Sequence, residues 1–205
     1  MPLLRTTLHS FRGTWENVSM RKVAARVRGT VTTSHPEVQA MAPSRKSLLP
    51  MVEKLEARAK AGDVVGALKG FPPLLRVAAA RFSSRRRRER RKWDGFDVLC
   101  HLLDTELVHS FRIRKVLCEE VPDIAFYEQE QWVDGLRPFR GGNPARVAAR
   151  CAALRADNVA VLSALAPRQW LRSGVHPEAG VLTVADLAAR MARHDAAHLR
   201  QMVAG

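Results

Sequence analysis

Apolar residues recur at helical spacing along most of the last three quarters of this chain, beginning with Leu48–Ala61 and resuming at Val64–Phe82, where Val64, Val65, Leu68, Leu74, Leu75 and Val77 carry the pattern. Gly62-Asp63 separates the two, and Asp63 is a good N-cap for the second. Phe71-Pro72-Pro73 interrupts that second helix, which predicts a kink or a restart there. Trp93 opens the next periodic segment. Asp94 as N-cap and Asp97 three residues on start a helix that runs to Cys118, with Val98, Leu99, Leu102, Leu103, Leu107, Phe111, Ile113 and Val116 as a broad apolar face. Pro122 ends it. From there to Gly142 the pattern is irregular but carries Phe126, Tyr127, Trp132 and Phe139, so this loop is expected to pack down on the core.

Asn143-Pro144 is a strong helix start, an N-cap followed by proline at the first helical position, and Val147, Cys151, Leu154, Val161, Leu162 and Leu165 continue the helix toward Pro167. Trp170 to Gly180 reads as a loop containing His176-Pro177. Thr183 with Asp186 then starts a last helix, with Leu182 and Leu187 placed as a hydrophobic staple. Amphipathic helices at about 64–82, 94–118, 143–165 and 183–203 predict an all-α fold, a four-helix bundle with long loops between core helices.

Composition refines this. A chain of 205 residues that is 46% hydrophobic can bury one real core, and with aromatics at only 6% the mixture favours helix over sheet. No uncharged apolar run of about 18 residues occurs, so no membrane span is predicted, and the absence of a secretory signal leads to a cytoplasmic expectation. The net charge of +14 is unevenly placed: residues 1–92 hold 21 Lys+Arg against 6 Asp+Glu, whereas 93–205 hold 13 against 14. Residues 1–46 show no sustained period and carry eight basic residues against two acids. They are expected to be a poorly ordered basic extension of a bundle domain at 47–205. A transit peptide shares that composition, but with Met20, Met41 and Met51 as further possible starts, a tail or a misassigned start is preferred. Cys100, Cys118 and Cys151 show no CxxC spacing, and Cys100 and Cys151 read as buried thiols.

Candidate chemistry lies in the near-neutral half. His194 and His198 stand four apart on the last helix, so both imidazoles project from one face toward a common point. A metal needs a third ligand from a facing helix, and His101 in Leu99-Cys100-His101-Leu102-Leu103-Asp104 supplies it. Three imidazoles with coordination positions left open describe a catalytic site for one divalent ion, with Zn, Ni, Fe and Mn all suited. Nitrogens sharing such an ion at about 2.0 to 2.2 Å lie within about 4 Å of one another. Asp104, one turn after His101, and Gln201, nearly one turn after His198, are candidates to accept an imidazole N–H or to act directly in catalysis. Asp104 has a second reading, in which it pairs with Arg190 or another cation. His176 is read either as an exposed loop histidine or as one that faces substrate. Phe126, Tyr127 and Trp132 are candidates to close the pocket. Glu106 is off the His101 face and reads as an arginine partner, and His109 as packing or surface.

Trp93 with its capping residue, His101-Leu102-Leu103-Asp104-Thr105-Glu106, Arg112-Ile113-Arg114, Trp170, His176 with Gly180 and Thr183, and His194-Asp195-Ala196-Ala197-His198-Leu199-Arg200-Gln201 together resemble the DinB-like (YfiT-like) family over about residues 60–205. The resemblance implies a four-helix bundle that binds a divalent metal through three histidines, here His101, His194 and His198. It also implies a metal-dependent enzyme of hydrolase or thiol-dependent transferase type, the metal activating a water or thiol nucleophile. A small-molecule substrate, a low-molecular-weight thiol as cosubstrate and a homodimer follow from the same resemblance.

Two other readings compete. Arg85, Arg86, Arg87, Arg88, Arg90 and Arg91 form a basic block that can hold nucleic acid electrostatically, although no interleaved aromatics or helix-turn-helix spacing accompany it. Alternatively, the bundle is a metal-free interaction module, against which the three intact histidines argue.

Overall fold

The apolar stripes fold into helices in a computed structural model that describes residues 45–82 and 93–204. The described elements are α1 (Arg45–Lys60), α2 (Val64–Ala79), α3 (Gly95–Cys118), α4 (Gln129–Leu136), a 3-10 turn at Arg137–Phe139, α5 (Pro144–Ser163), α6 (Pro167–Trp170), strands β1 (Ser173–His176) and β2 (Gly180–Thr183), and α7 (Val184–Ala204). The basic extension expected at 1–46 lies, but for its last two residues, outside the described residues.

Local signals set the helix starts. Gly62 adopts φ +82°, a conformation only glycine takes without strain, and turns the chain so that the Asp63 side chain accepts from the Gly66 N–H at 3.0 Å to cap α2. Asp94 and Asp97 form a reciprocal capping box on α3, with bonds of 2.9 and 3.0 Å. Asn143 caps α5, and Thr183 with Asp186 caps α7. Leu182 and Leu187 are both buried beside that last cap, as a staple requires.

The bundle is built from α2, α3, α5 and α7. Each of α2 and α3 packs along both α5 and α7, while α2 and α3 themselves touch only sparsely, so these successive core helices stand on a diagonal. Helix α1 lies outside, against α2 and α7. Leu68, Phe71, Leu75, Leu99, Ile113, Leu162, Leu187, Met191 and Leu199 fill the interior, and their burial is the main drive for the fold.

Several expectations are corrected. Pro72-Pro73 does not restart α2, which is one continuous helix ending at Ala79, short of Phe82. Pro72 withholds the N–H that would bond the Leu68 carbonyl, and the buried Arg155 guanidinium reaches that carbonyl at 3.4 Å while stacking on Phe71 with 4.5 Å from Cζ to the ring centroid. Tertiary contacts thereby satisfy the group that the proline orphans. Leu107 and Phe111, expected in the α3 apolar face, are 52% and 56% exposed, because the helix is already covered on its other sides by α5 and α7.

The two long loops are also more structured than expected. The segment before Gly142 contains α4 and the 3-10 turn. The segment after Trp170 forms an antiparallel hairpin, with Ser173 opposite Thr183 and His176 opposite Gly180. Its missed signal is Gly180, at φ +69°, which turns the chain between two short runs. Strand β1 is pinned to the chain leaving α3 by Val175 N–H to Pro122 O at 2.9 Å and Ile124 N–H to Val175 O at 2.8 Å.

Candidate metal centre

His101 projects from α3 nearly two turns after its start, and His194 and His198 lie one turn apart on α7; because α3 and α7 pack side by side, the three rings meet. Their centroids are 4.9 Å (His101–His194), 4.8 Å (His101–His198) and 4.4 Å (His194–His198) apart. One ring nitrogen from each lies within 4.8 Å of the others. The Nε2 atoms of His101 and His194 are 2.8 Å apart.

Neighbouring side chains fix these rings. Trp93 packs on His101 with centroids 4.9 Å apart. His198 donates its Nδ1–H to Gln201 Oε1 at 2.9 Å, which leaves the Nε2 lone pair free. Thr105 Oγ1 stands 3.4 Å from His101 Nε2 and 2.9 Å from the Tyr127 hydroxyl. Trp93 and Gln201 also line a cleft of about 600 Å³ that Phe82, Asp94, Gly95, Val98, Met202 and Ala204 complete.

Burial depresses the proton affinity of all three imidazoles. His101 falls to about 3, through desolvation first and the nearby His198 and His109 second. His194 falls to about 2, again by desolvation and then by the surrounding histidines, and His198 is lowered for the same first reason. Near neutral pH the cluster is therefore three uncharged imidazoles, the form that ligates metals.

The donor set fits a divalent cation. Two nitrogens 2.8 Å apart match neighbouring ligands on one ion, since bonds of about 2.1 Å at right angles put donors about 3 Å apart. The largest separation, up to 4.8 Å, exceeds the span anticipated from the sequence, and a shared ion requires a side-chain adjustment of under about 1 Å. Among the described residues, His101 Nδ1 and His194 Nδ1 are buried without a hydrogen-bond partner, so neither ring has a competing acceptor that turns its Nε2 away.

The remaining candidates are distributed as follows. Asp104 does not accept from an imidazole: it pairs with Arg140, arriving from beyond the 3-10 turn, because a buried carboxylate needs a cation and, among the described residues, Arg140 reaches it. Burial raises the Asp104 pKa and Arg140 opposes the rise. Tyr127 reaches the cluster through Thr105, and Trp132 packs on Tyr127 at 4.9 Å. Phe126 packs instead against His176, at 6.3 Å, on the hairpin. Cys100 is buried, its thiol pushed up to about 12 by desolvation, and takes no part in the cluster. The block Arg85, Arg86, Arg87, Arg88, Arg90 and Arg91 lies outside the described residues.

Beside the cluster runs a buried ionic network that the sequence did not reveal. Arg155 of α5 is 1% exposed and donates to both Glu106 oxygens, at 2.9 Å and 3.0 Å from Nε, and ion-pairs Asp195 of α7 at 2.8 Å. Asn158 donates to Glu106 at 2.7 Å, and Arg114 donates to Asn158 at 2.8 Å. Its one legible signal was Glu106, read as an arginine partner; the identity of the arginine, 49 residues away, was not legible.

Fold and site together define a four-helix bundle whose facing helices bring three histidines to one point. The chain belongs to the DinB superfamily, whose family model matches residues 5–202. A solved structure, YfiT from Bacillus subtilis, described as a probable metal-dependent hydrolase with an unusual four-helix bundle topology, is similar at 20% identity and a TM-score of 0.48, over 77% of this chain and 85% of that one. No curated protein matches the sequence.

Proposed function

We propose that His101, His194 and His198 hold one divalent metal ion and that the protein is a metal-dependent enzyme of the hydrolase or thiol-transferase type, acting on a small molecule. The observation that carries this reading is the convergence of three uncharged, largely buried imidazoles from two helices, with two Nε2 atoms 2.8 Å apart. Three protein ligands leave coordination positions open, where a bound ion supplies Lewis acidity and a water or thiol nucleophile at neutral pH.

The chain's own residues do the rest. Gln201 holds the His198 ring by its Nδ1–H, and Trp93 walls the His101 ring. Thr105 and the Tyr127 hydroxyl form a hydrogen-bonded pair next to His101 Nε2, able to pass a proton or to hold a polar group of the substrate. Burial pushes the Tyr127 pKa up, so at neutral pH its hydroxyl keeps its proton and serves as a donor.

The test is metal analysis of the purified protein, then a screen of small thiols with ester, amide and electrophilic substrates. About one divalent ion per chain, lost in H101A, H194A and H198A together with turnover, is expected. A folded protein that takes up no Zn, Ni, Fe or Mn, or turnover indifferent to the three substitutions, overturns the proposal.

A further inference from the structure

Arg112 is 9% exposed on α3, two turns beyond Thr105, and a buried cation normally has a carboxylate partner. This one has none among the described residues. Its Nε and Nη2 both donate to the Ala125 carbonyl, at 2.9 Å from Nε, whereas Nη1 makes no hydrogen bond to any described residue. Burial lowers its pKa, and among the described residues the group that opposes this effect is Tyr127, not a carboxylate.

A second donor faces it. His176 Nδ1 accepts the N–H groups of Glu178 and Ala179, each at 3.3 Å, so the ring proton sits on Nε2. Nε2 lies 3.4 Å from Arg112 Nη2, and in the tautomer that Glu178 and Ala179 select it meets the guanidinium as a second donor. Two N–H donors held against each other lack an acceptor between them. Arg190 adds further positive potential at His176, and Glu178, on the exposed hairpin turn, is the carboxylate that acts against it.

We propose that Arg112 and His176 form an anion subsite that takes the carboxylate of a small-molecule substrate whose reacting group lies at the three histidines. The proposal deepens the metal-enzyme reading and rests on it. Tyr127 joins the two ends: the Arg112 Cζ is 5.9 Å from its ring centroid, and its hydroxyl meets Thr105 beside His101. Seven residues of helix separate Thr105 from Arg112, so carboxylate and reacting group are on the order of 10 Å apart. A guanidinium N–H and an imidazole N–H side by side match the two oxygens of a carboxylate.

The test uses straight-chain hydroxamates of four to eight carbons ending in carboxylate, amide, ammonium or phosphonate, titrated calorimetrically into the zinc-loaded protein. One carboxylate-ended length is expected to bind at least about tenfold more tightly than its amide, with the ammonium weakest and the advantage lost in R112M. Equal binding of carboxylate and amide at every length, or an advantage that survives R112M, overturns the subsite; tighter binding of the phosphonate overturns its assignment to carboxylates. A second arm needs no metal. Metal-free protein with 15N-labelled arginine is titrated with butyrate, and the Arg112 Nε–H resonance, identified by its absence in R112K, is expected to move. If it moves while no metal binds, the subsite stands and the metal reading falls; if it stays fixed, the subsite falls whatever the metal does.

Discussion

Arg155 Nη1 and Asp195 Oδ2 meet at 2.8 Å in the interior of the bundle, and Asp195 is the residue next to His194. The pair ties α5 to the helix that carries two of the three clustered histidines, and Glu106 extends the tie to α3, which carries the third. A neutral residue in place of the shared cation leaves two carboxylates facing each other in a low-dielectric interior. R155M is therefore expected to lose about 3–5 kcal/mol of stability. Urea denaturation of wild type, R155M and the triple variant R155M/E106Q/D195N checks this, the triple variant recovering much of the loss because no buried charge is left alone.

Gln201 gives the His198 ring its orientation through the 2.9 Å bond to Nδ1. Q201A leaves the ring free to rotate and is expected to weaken metal affinity about 10- to 100-fold with little change in melting temperature. Competition with a chromophoric chelator measures it, and unchanged affinity would show that packing alone orients the ring.

His109 is buried, donates Nδ1–H to the Thr105 carbonyl at 3.0 Å, and is held to about 4 from the ordinary 6.5 by desolvation, with Arg112, Arg155 and Arg190 adding to the depression. The unfolded chain therefore binds a proton between those values that the folded chain refuses. Stability from this group is complete above pH 6.5 and is lost as pH falls toward 4, with a slope approaching about 1.4 kcal/mol per pH unit. Asparagine in its place can keep the bond to Thr105 and has no proton to gain. Metal-free H109N is expected to show a shallower fall than wild type in urea midpoints taken from pH 7.5 down to about 4.5.

Gly174 lets β1 lie against the core. A Cβ there meets the Pro122 carbonyl at 2.5 Å, Ile124 Cγ1 at 3.0 Å and Val116 Cγ2 at 3.1 Å, so the hairpin would have to lift off the end of α3. G174A is expected to cost about 1–3 kcal/mol and to disturb His176, two residues on. Thermal melts report the first effect, and the chemical shift of the His176 ring reports the second.

The sequence by itself determined the bundle helices, because apolar spacing and caps such as Asp94-Asp97, Asn143-Pro144 and Thr183-Asp186 are local features. It also determined the family, since the motif order from Trp93 to Gln201 is written in the chain, and the pairing of His194 with His198, a consequence of 3.6 residues per turn. Only the tertiary structure decided that Asp104 answers Arg140, that Arg155 binds Glu106 and Asp195 and takes the Leu68 carbonyl freed by Pro72, and that Arg112 comes to face His176. Periodicity says which face of a helix is buried. Which helix covers that face depends on the order of packing, here α2 and α3 on a diagonal with α5 and α7 between them, and that order sets the partner of every buried charge.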